Sequence, residues 1–345
     1  MNLDNPSSYL QELDPGLVAD SIASLPDQID QVLRDSEQVD ISESHGRINK
    51  VVLDGMGASN LGGRIIQSLF KKELSVPVLI RPGYEVPGYV DENTLLILSS
   101  YSGNTEEPLS VYEEAKNRGA KIVGVTAEHE NNKLQDLMEK DGFPGFVFTP
   151  EHNPSDQPRL GLGYSIFSIL SLLQKAGLIV LDQEETKQTV TYLKQKNSSW
   201  KPETETASNK AKEIARELAG KFPIVVGAEF LEGNLHTLRN QMCENSKNIA
   251  DYLTLPDLNH FLLESLAHPA SNSDNLAFLF LDSQDYSPRV QKRSDLTKQV
   301  VEKQDIKTVS YQTESSSLLG QSLELLQLGS WITFYLAIAN DENPS

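Results

Sequence analysis

The feature that most constrains this chain is a series of short apolar runs separated by stretches with the spacing of helices. Val51-Val52-Leu53-Asp54-Gly55 is the first, followed by runs at 76–80 and 95–99, Ile122-Val123-Gly124-Val125 and Phe146-Val147-Phe148. Helical stretches lie between most of them, which predicts a parallel sheet covered on both faces. The pattern restarts at Phe222-Pro223-Ile224-Val225-Val226, with further runs at 276–281 and 306–311 and a long helix over 315–339. The second half therefore reads as a degenerate repeat of the first. An amphipathic helix is expected over 16–33, packing on the first domain, then a polar loop over 36–45. A charge-rich helix and connection cover 181–206, and a helix over 207–219 ends at Gly220. These boundaries give an N-terminal helical segment (1–45), a first α/β domain (46–178), a helical connection (179–214) and a second α/β domain (215–345).

Charge narrows the partners. Thirty basic residues stand against 49 acidic ones, a net charge of −19. Such a field repels nucleic acid and anionic membrane surface, so neither is expected as a partner. It also opposes a phosphate ligand, so a phosphate site must rest on local donors. The first 15 residues lack a signal pattern, and the single cysteine, Cys243, fits a reducing cytoplasm. The histidines are scattered without zinc-ligand spacing, and no metal is expected.

In an open parallel sheet, ligands sit outside the carboxyl ends of strands. Two loops occupy that position. Gly55-Met56-Gly57-Ala58-Ser59-Asn60 leads into a helix, but Asn60 stands where a dinucleotide fingerprint requires its third glycine, and no G-K-[ST] ending follows. A tight strand-to-helix turn is the alternative. The second loop is Ser100-Tyr101-Ser102-Gly103-Asn104-Thr105-Glu106-Glu107, which precedes a helix expected over 108–116. Its hydroxyls (Ser100, Ser102, Thr105) and the free N–H groups of a first helical turn can converge on one phosphate. By pattern alone, Ser102 or Thr105 can equally cap that helix. Arg159, opening the apolar helix behind Gln157-Pro158, is either a surface residue or a bidentate anion clamp.

The loop Ser-Tyr-Ser-Gly-Asn-Thr-Glu-Glu resembles the sugar-phosphate loop of the sugar isomerase (SIS) superfamily. A second pair of stretches makes the resemblance specific: Glu244-Asn245-Ser246-Lys247 and Leu255-Pro256-Asp257-Leu258-Asn259-His260. With Gly55 to Gly63, Arg81 to Tyr84, 158–164 and 325–339, nearly the whole chain is similar to the bifunctional phosphoglucose/phosphomannose isomerases. The resemblance implies two SIS domains, each a doubly wound, flavodoxin-like parallel sheet flanked by helices. It implies that the Ala58 backbone and the hydroxyls of Ser59, Ser100, Ser102 and Thr105 hold the phosphate of a phosphorylated hexose. Arg159 would assist near the reacting carbons. Glu244 would move the proton between C1 and C2, and His260 would open the sugar ring from the other subunit of a homodimer with shared sites.

The chemistry agrees with those roles. Aldose–ketose isomerisation through a cis-enediol needs one base that reaches two adjacent carbons, and no cofactor. A raised glutamate pKa suits that base, and burial near Met242 and Cys243 is expected to supply it. Histidine titrates where ring opening needs it, and a cationic Arg159 stabilises an enediolate. The chain departs from the family at Ala58, where glycine is usual, and at Phe261, often Asn. The family also continues into a last helix with an active-site lysine, so either a tail is missing from this chain or this member lacks that lysine. The alternative reading is an SIS-type protein that binds sugar phosphate without full activity. A DNA-binding sensor would need a basic segment, and nothing before Ile48 has such charge.

Overall fold

The computed structural model describes residues 2–41 and 47–345. In chain order the elements are helices α1 (Pro6–Leu13), α2 (Val18–Ala23) and α3 (Leu25–Asp35), strand β1 (Lys50–Asp54), α4 (Ala58–Leu69), β2 (Val78–Ile80), β3 (Thr94–Ser99), α5 (Glu106–Ser110), α6 (Tyr112–Asn117), β4 (Lys121–Ala127), α7 (Lys133–Asp141), β5 (Gly145–Phe148) and α8 (Leu162–Lys175). They continue with α9 (Gln183–Trp200), α10 (Lys210–Leu218), β6 (Phe222–Ala228), α11 (Glu232–Glu244), β7 (Asp251–Leu255), α12 (Asn272–Asn275), β8 (Leu276–Asp282), α13 (Pro288–Glu302), β9 (Lys307–Gln312) and α14 (Leu318–Ala339). The chain divides into two compact units, Ser24–Thr186 on one hand and residues 2–23 with Lys187–Ser345 on the other. The domain boundary expected at 45/46, like the end of the expected loop from 42 to 45, lies outside the described residues.

In the Ser24–Thr186 unit, five strands pair in the order β2-β1-β3-β4-β5, all parallel. This is the flavodoxin-like order, whose reversal point lies between β1 and β3. Alternation along β1 sends its side chains to two layers. Leu53 meets α4 at Gly63, where even a Cβ would lie 2.9 Å from the leucine methyl. Val52 faces the other way, into a cluster with Leu96, Leu98, Val111, Tyr112, Ala115 and Ile122. Helix α3 is pinned to the start of α8 by Gln28, whose Nε2 donates to Leu160 O at 2.8 Å while its Oε1 accepts from Gly163 N–H at 3.1 Å. The helix expected over 108–116 begins earlier, at Glu106, and is interrupted at Val111.

The expected single helix over 16–33 is broken at Ser24. Pro26 stands in the first turn of α3, and a proline ring clashes with the carbonyl four residues before it, here Ile22. The freed carbonyls find other donors: Gln327 Nε2 at 3.3 Å for Ile22 O, and Asn197 Nδ2 at 2.9 Å for Ala23 O. Consequently α2 belongs with α14, and only α3 belongs with the first sheet.

The other unit carries a parallel four-stranded sheet in the order β7-β6-β8-β9. That is the order of the first sheet without its last strand. The core helix α14 is long and apolar enough to cross a membrane, yet 94% of its most apolar stretch is buried. Its one carboxylate, Glu324, is completely buried. It accepts from Tyr311 OH at 2.6 Å, Tyr192 OH at 2.8 Å and Ser315 N–H at 2.9 Å. A buried polar group held this way is tolerated, because its lost hydration is replaced by fixed donors.

Candidate active site

The site in the Ser24–Thr186 unit is built where β1 and β3 end. Gly55 passes so close to the tip of β3 that a Cβ would lie 2.7 Å from Ser99 O, so only glycine fits. Gly57 follows in the left-handed region at φ +50, and α4 begins at Ala58. The Ser59 hydroxyl accepts the Tyr101 N–H at 3.1 Å, tying the glycine turn to the loop after β3.

In that loop Ser100 is fully buried and its N–H bonds Val125 O at 2.9 Å. Gly103 turns the chain at φ +69. Ser100 Oγ and Thr105 Oγ1 lie 2.7 Å apart, and Ser100 Oγ accepts the Thr105 N–H at 3.3 Å. Thr105 occupies the N-cap position of α5, yet its side chain makes no capping bond. Ser102 is exposed, with its Oγ accepting Asn104 N–H at 3.3 Å. The capping reading therefore fails for Thr105, whose hydroxyl is turned to Ser100 instead of to the helix.

A third segment joins these two. Asn153 Nδ2 donates to Tyr101 OH at 2.9 Å and to Gln157 O at 3.0 Å. The turn Pro158–Leu160 follows, and Pro158 lines a small cavity with Ala58, Ser59, Tyr101 and Ser165. Arg159 is half-buried on this turn, with Nη1 on Gln157 Oε1 at 2.7 Å. Burial pushes the Tyr101 hydroxyl up to about 12, so it stays neutral, accepting from Asn153.

Sequence reading passed over Asp54, the last residue of β1. Its exposure is 3%, and its Oδ1 has no hydrogen-bond partner. Burial, then the negative charge of Glu107, pushes its pKa up to about 7. The available signal was a carboxylate ending an otherwise apolar run.

The second unit holds Glu244 and His260. Glu244 ends α11, on a turn fixed to α14 by buried polar pairs: Gln241 Nε2 to Ser330 Oγ at 2.9 Å and Asn245 Nδ2 to Thr333 Oγ1 at 3.0 Å. Asn340 Nδ2 adds a bond to Ser246 O at 3.2 Å, and Lys247 Nζ donates to Glu244 O at 2.7 Å. The expected burial of the Glu244 carboxylate is not found in the single chain. Met242 is buried, but Cys243 and Glu244 face solvent, because the helix period that seats Gln241 and Met242 in the core turns the next two residues outward. His260 ends the turn Asp257–His260 and is likewise exposed. Asn259 anchors that turn through Thr297 Oγ1 at 2.8 Å on α13. Among the described residues, no group of three His, Cys, Asp or Glu side chains gathers as a metal site.

Two family models match the chain: an SIS domain over residues 47–136, and the bacterial phospho-glucose isomerase C-terminal SIS domain over 207–345. Together with the two parallel sheets, they define a protein of two SIS domains. A bifunctional phosphoglucose/phosphomannose isomerase of Caldicellulosiruptor bescii is 32% identical over 94% of this chain and 94% of its own length. Its counterpart in Aquifex aeolicus is 30% identical over 87% and 88%. The chain belongs to the bifunctional phosphoglucose/phosphomannose isomerase family. In fold it is similar to a glucose-6-phosphate isomerase like protein from Thermus thermophilus, with a TM-score of 0.63 at 16% identity over 100% of this chain and 95% of that one.

Proposed function

We propose that this chain is an aldose–ketose isomerase interconverting glucose 6-phosphate and mannose 6-phosphate with fructose 6-phosphate. The observation that carries the reading is the uncommitted cap: Thr105 stands at a helix N-cap with its hydroxyl turned to buried Ser100. Ser59, Ser100, Ser102, Thr105 and the backbone at Ala58 hold the phosphate through neutral donors, as a chain of net charge −19 requires. Arg159 stabilises charge developing on the enediolate. Glu244 removes the proton beside the carbonyl and returns it to the neighbouring carbon, passing through a cis-enediol. His260 opens the ring, from the partner subunit of a homodimer in a cytoplasmic setting. The polar pairs that fix the Glu244 turn to α14 supply the rigidity that a positioned base needs.

A coupled assay for fructose 6-phosphate formed from each aldose, with EDTA present, tests the activity; turnover of neither would leave a sugar-phosphate-binding protein without catalysis. The exposure of Glu244 and His260 in the single chain favours that second reading if no dimer forms. Mixing inactive Glu244 and His260 variants tests the shared site. Activity should reappear on subunit exchange, and its absence would place each site within one chain.

A further inference from the structure

Among the described residues of the Ser24–Thr186 unit, one carboxylate is buried, Asp54, and the proposed reaction does not use it. Asp54 ends β1 one residue before the glycine turn, and strand alternation puts it on the side of Val52, above the cluster containing Leu98 and Val111. It is 3% exposed with Oδ1 unpartnered. An unpaired buried carboxylate is costly in its charged form, and the cost is relieved when the group takes up a proton.

The surroundings supply negative charge and little to offset it. Strand β1 carries Lys50 at its opposite end, paired with Asp91 at 2.9 Å. From α4, Arg64 donates to Asn60 Oδ1 at 3.2 Å. After β2, Arg81 is bonded through its backbone N–H to Leu53 O at 2.9 Å, but its guanidinium is turned to Tyr89 OH at 2.9 Å and Ile80 O at 3.2 Å. Glu85 is exposed on the same segment. Tyr84 OH bridges Glu106 and Glu107 of α5, each at 3.3 Å. Of these groups, Glu107 is the charge that acts on Asp54. Glu107 lies two residues after Thr105, so the charge that Asp54 feels sits in the first turn of α5, directly after the loop that would receive the phosphate.

We propose that Asp54 is a proton-linked positioning residue of the phosphate loop: its carboxyl is neutral when a sugar phosphate is bound, and binding draws a proton from solvent onto it. This rests on the reading of residues 100–105 as the phosphate site. A phosphate brings a charge of about −1.5 to −2, which raises the cost of ionising Asp54 beyond what burial and Glu107 already impose. By linkage, ionisation of Asp54 weakens phosphate binding by the same factor. The pH window follows from the carboxyl of the free protein, which burial and Glu107 push up to about 7. A phosphate monoester completes its own second ionisation near pH 6, so the range above pH 7 isolates Asp54.

Titration calorimetry with sorbitol 6-phosphate, which has no carbonyl to isomerise, reads this directly in two buffers of different ionisation enthalpy. At pH 7.5 the parent should take up about 0.3–0.7 proton per ligand bound, and its affinity should fall about three- to tenfold between pH 7 and 8.5. Asp54→Asn should lose both the uptake and the slope, binding more tightly than the parent at pH 8.5. Equal uptake and slope in the two proteins would overturn the proposal. If Asp54→Asn does not fold, the parent alone decides, since binding without proton uptake above pH 7 overturns it as well. Thr105→Ala separates the two ideas: undiminished binding in that variant rejects the phosphate-site reading, whatever Asp54 does.

Discussion

The two sheets share a strand order, but their reversal points have opposite fates. Where β1 and β3 end, Gly55 and the hydroxyl loop leave the Ser100 and Thr105 hydroxyls on each other and Ser102 exposed. Where β6 and β8 end, a side chain fills the crevice. Tyr286 OH accepts the Ala228 N–H at 3.0 Å and donates to Leu281 O at 3.0 Å, with the residue 2% exposed. Beside it, Gln321 takes the hydroxyls of Ser283 at 2.6 Å and Thr313 at 2.7 Å. Asp282 at the end of β8 is paired with Lys298 at 2.5 Å, whereas Asp54 at the end of β1 has an unpaired oxygen. The same backbone geometry thus carries a glycine turn and a hydroxyl loop in one unit and internal bracing in the other. A braced unit can still act through the turns at its edge, which is where Glu244 and His260 stand.

The sharpest way to break this comparison is Glu244→Gln. Removing a general base costs about 10²–10⁴-fold in rate, and the loss should fall on kcat while sugar phosphate still binds. A variant within a few-fold of the parent would remove chemistry from the braced unit altogether. Next comes the unpaired carboxylate. Asp54 has a folded pKa raised above its unfolded value, so the native state binds more protons and stability falls as pH rises from about 4 to 7. The loss attributable to Asp54 is on the order of 2–4 kcal/mol, and denaturant titrations of Asp54→Asn should show a flatter decline across that window. Third, Thr105→Ala should raise KM for the sugar phosphate, since a hydrogen bond to a charged group contributes about 1.5–3 kcal/mol. An unchanged KM would make the open crevice as inert as the filled one. The smallest effect belongs to Tyr286→Phe, which strands the Ala228 N–H and Leu281 O at a cost of about 1–2 kcal/mol. It should lower Tm without moving KM, and a KM change would show that the second crevice is not merely braced.

Much of this architecture was legible because buried parallel strands are written as continuous apolar runs. Strand β7 escaped for the same reason in reverse. Asp251-Tyr252-Leu253-Thr254-Leu255 is a half-exposed edge strand with no apolar run. Helix α13, mostly polar, gave no run either. The break at Ser24 was foreshadowed by Pro26, but the hydrophobic period continues across it because both helices bury apolar faces, each in its own unit. The hydroxyl loop could be recognised from its residues, whereas the choice between cap and cradle required the direction of one threonine side chain. Exposure of Glu244 depended on where helix α11 ends relative to its buried face, which spacing alone does not fix.

The break at Ser24 has a consequence for synthesis. Because α2 belongs with α14, the unit that contains Glu244 is discontinuous, and Ile22 bonds a residue 305 positions further on. At roughly 5–20 residues per second on the ribosome, α1 and α2 wait about 15–60 s for their partner helix to emerge. During that interval the Ser24–Thr186 unit is completed and can fold as an insertion. The opening helices remain uncovered, a demand on chaperones that a chain with two consecutive domains would not make.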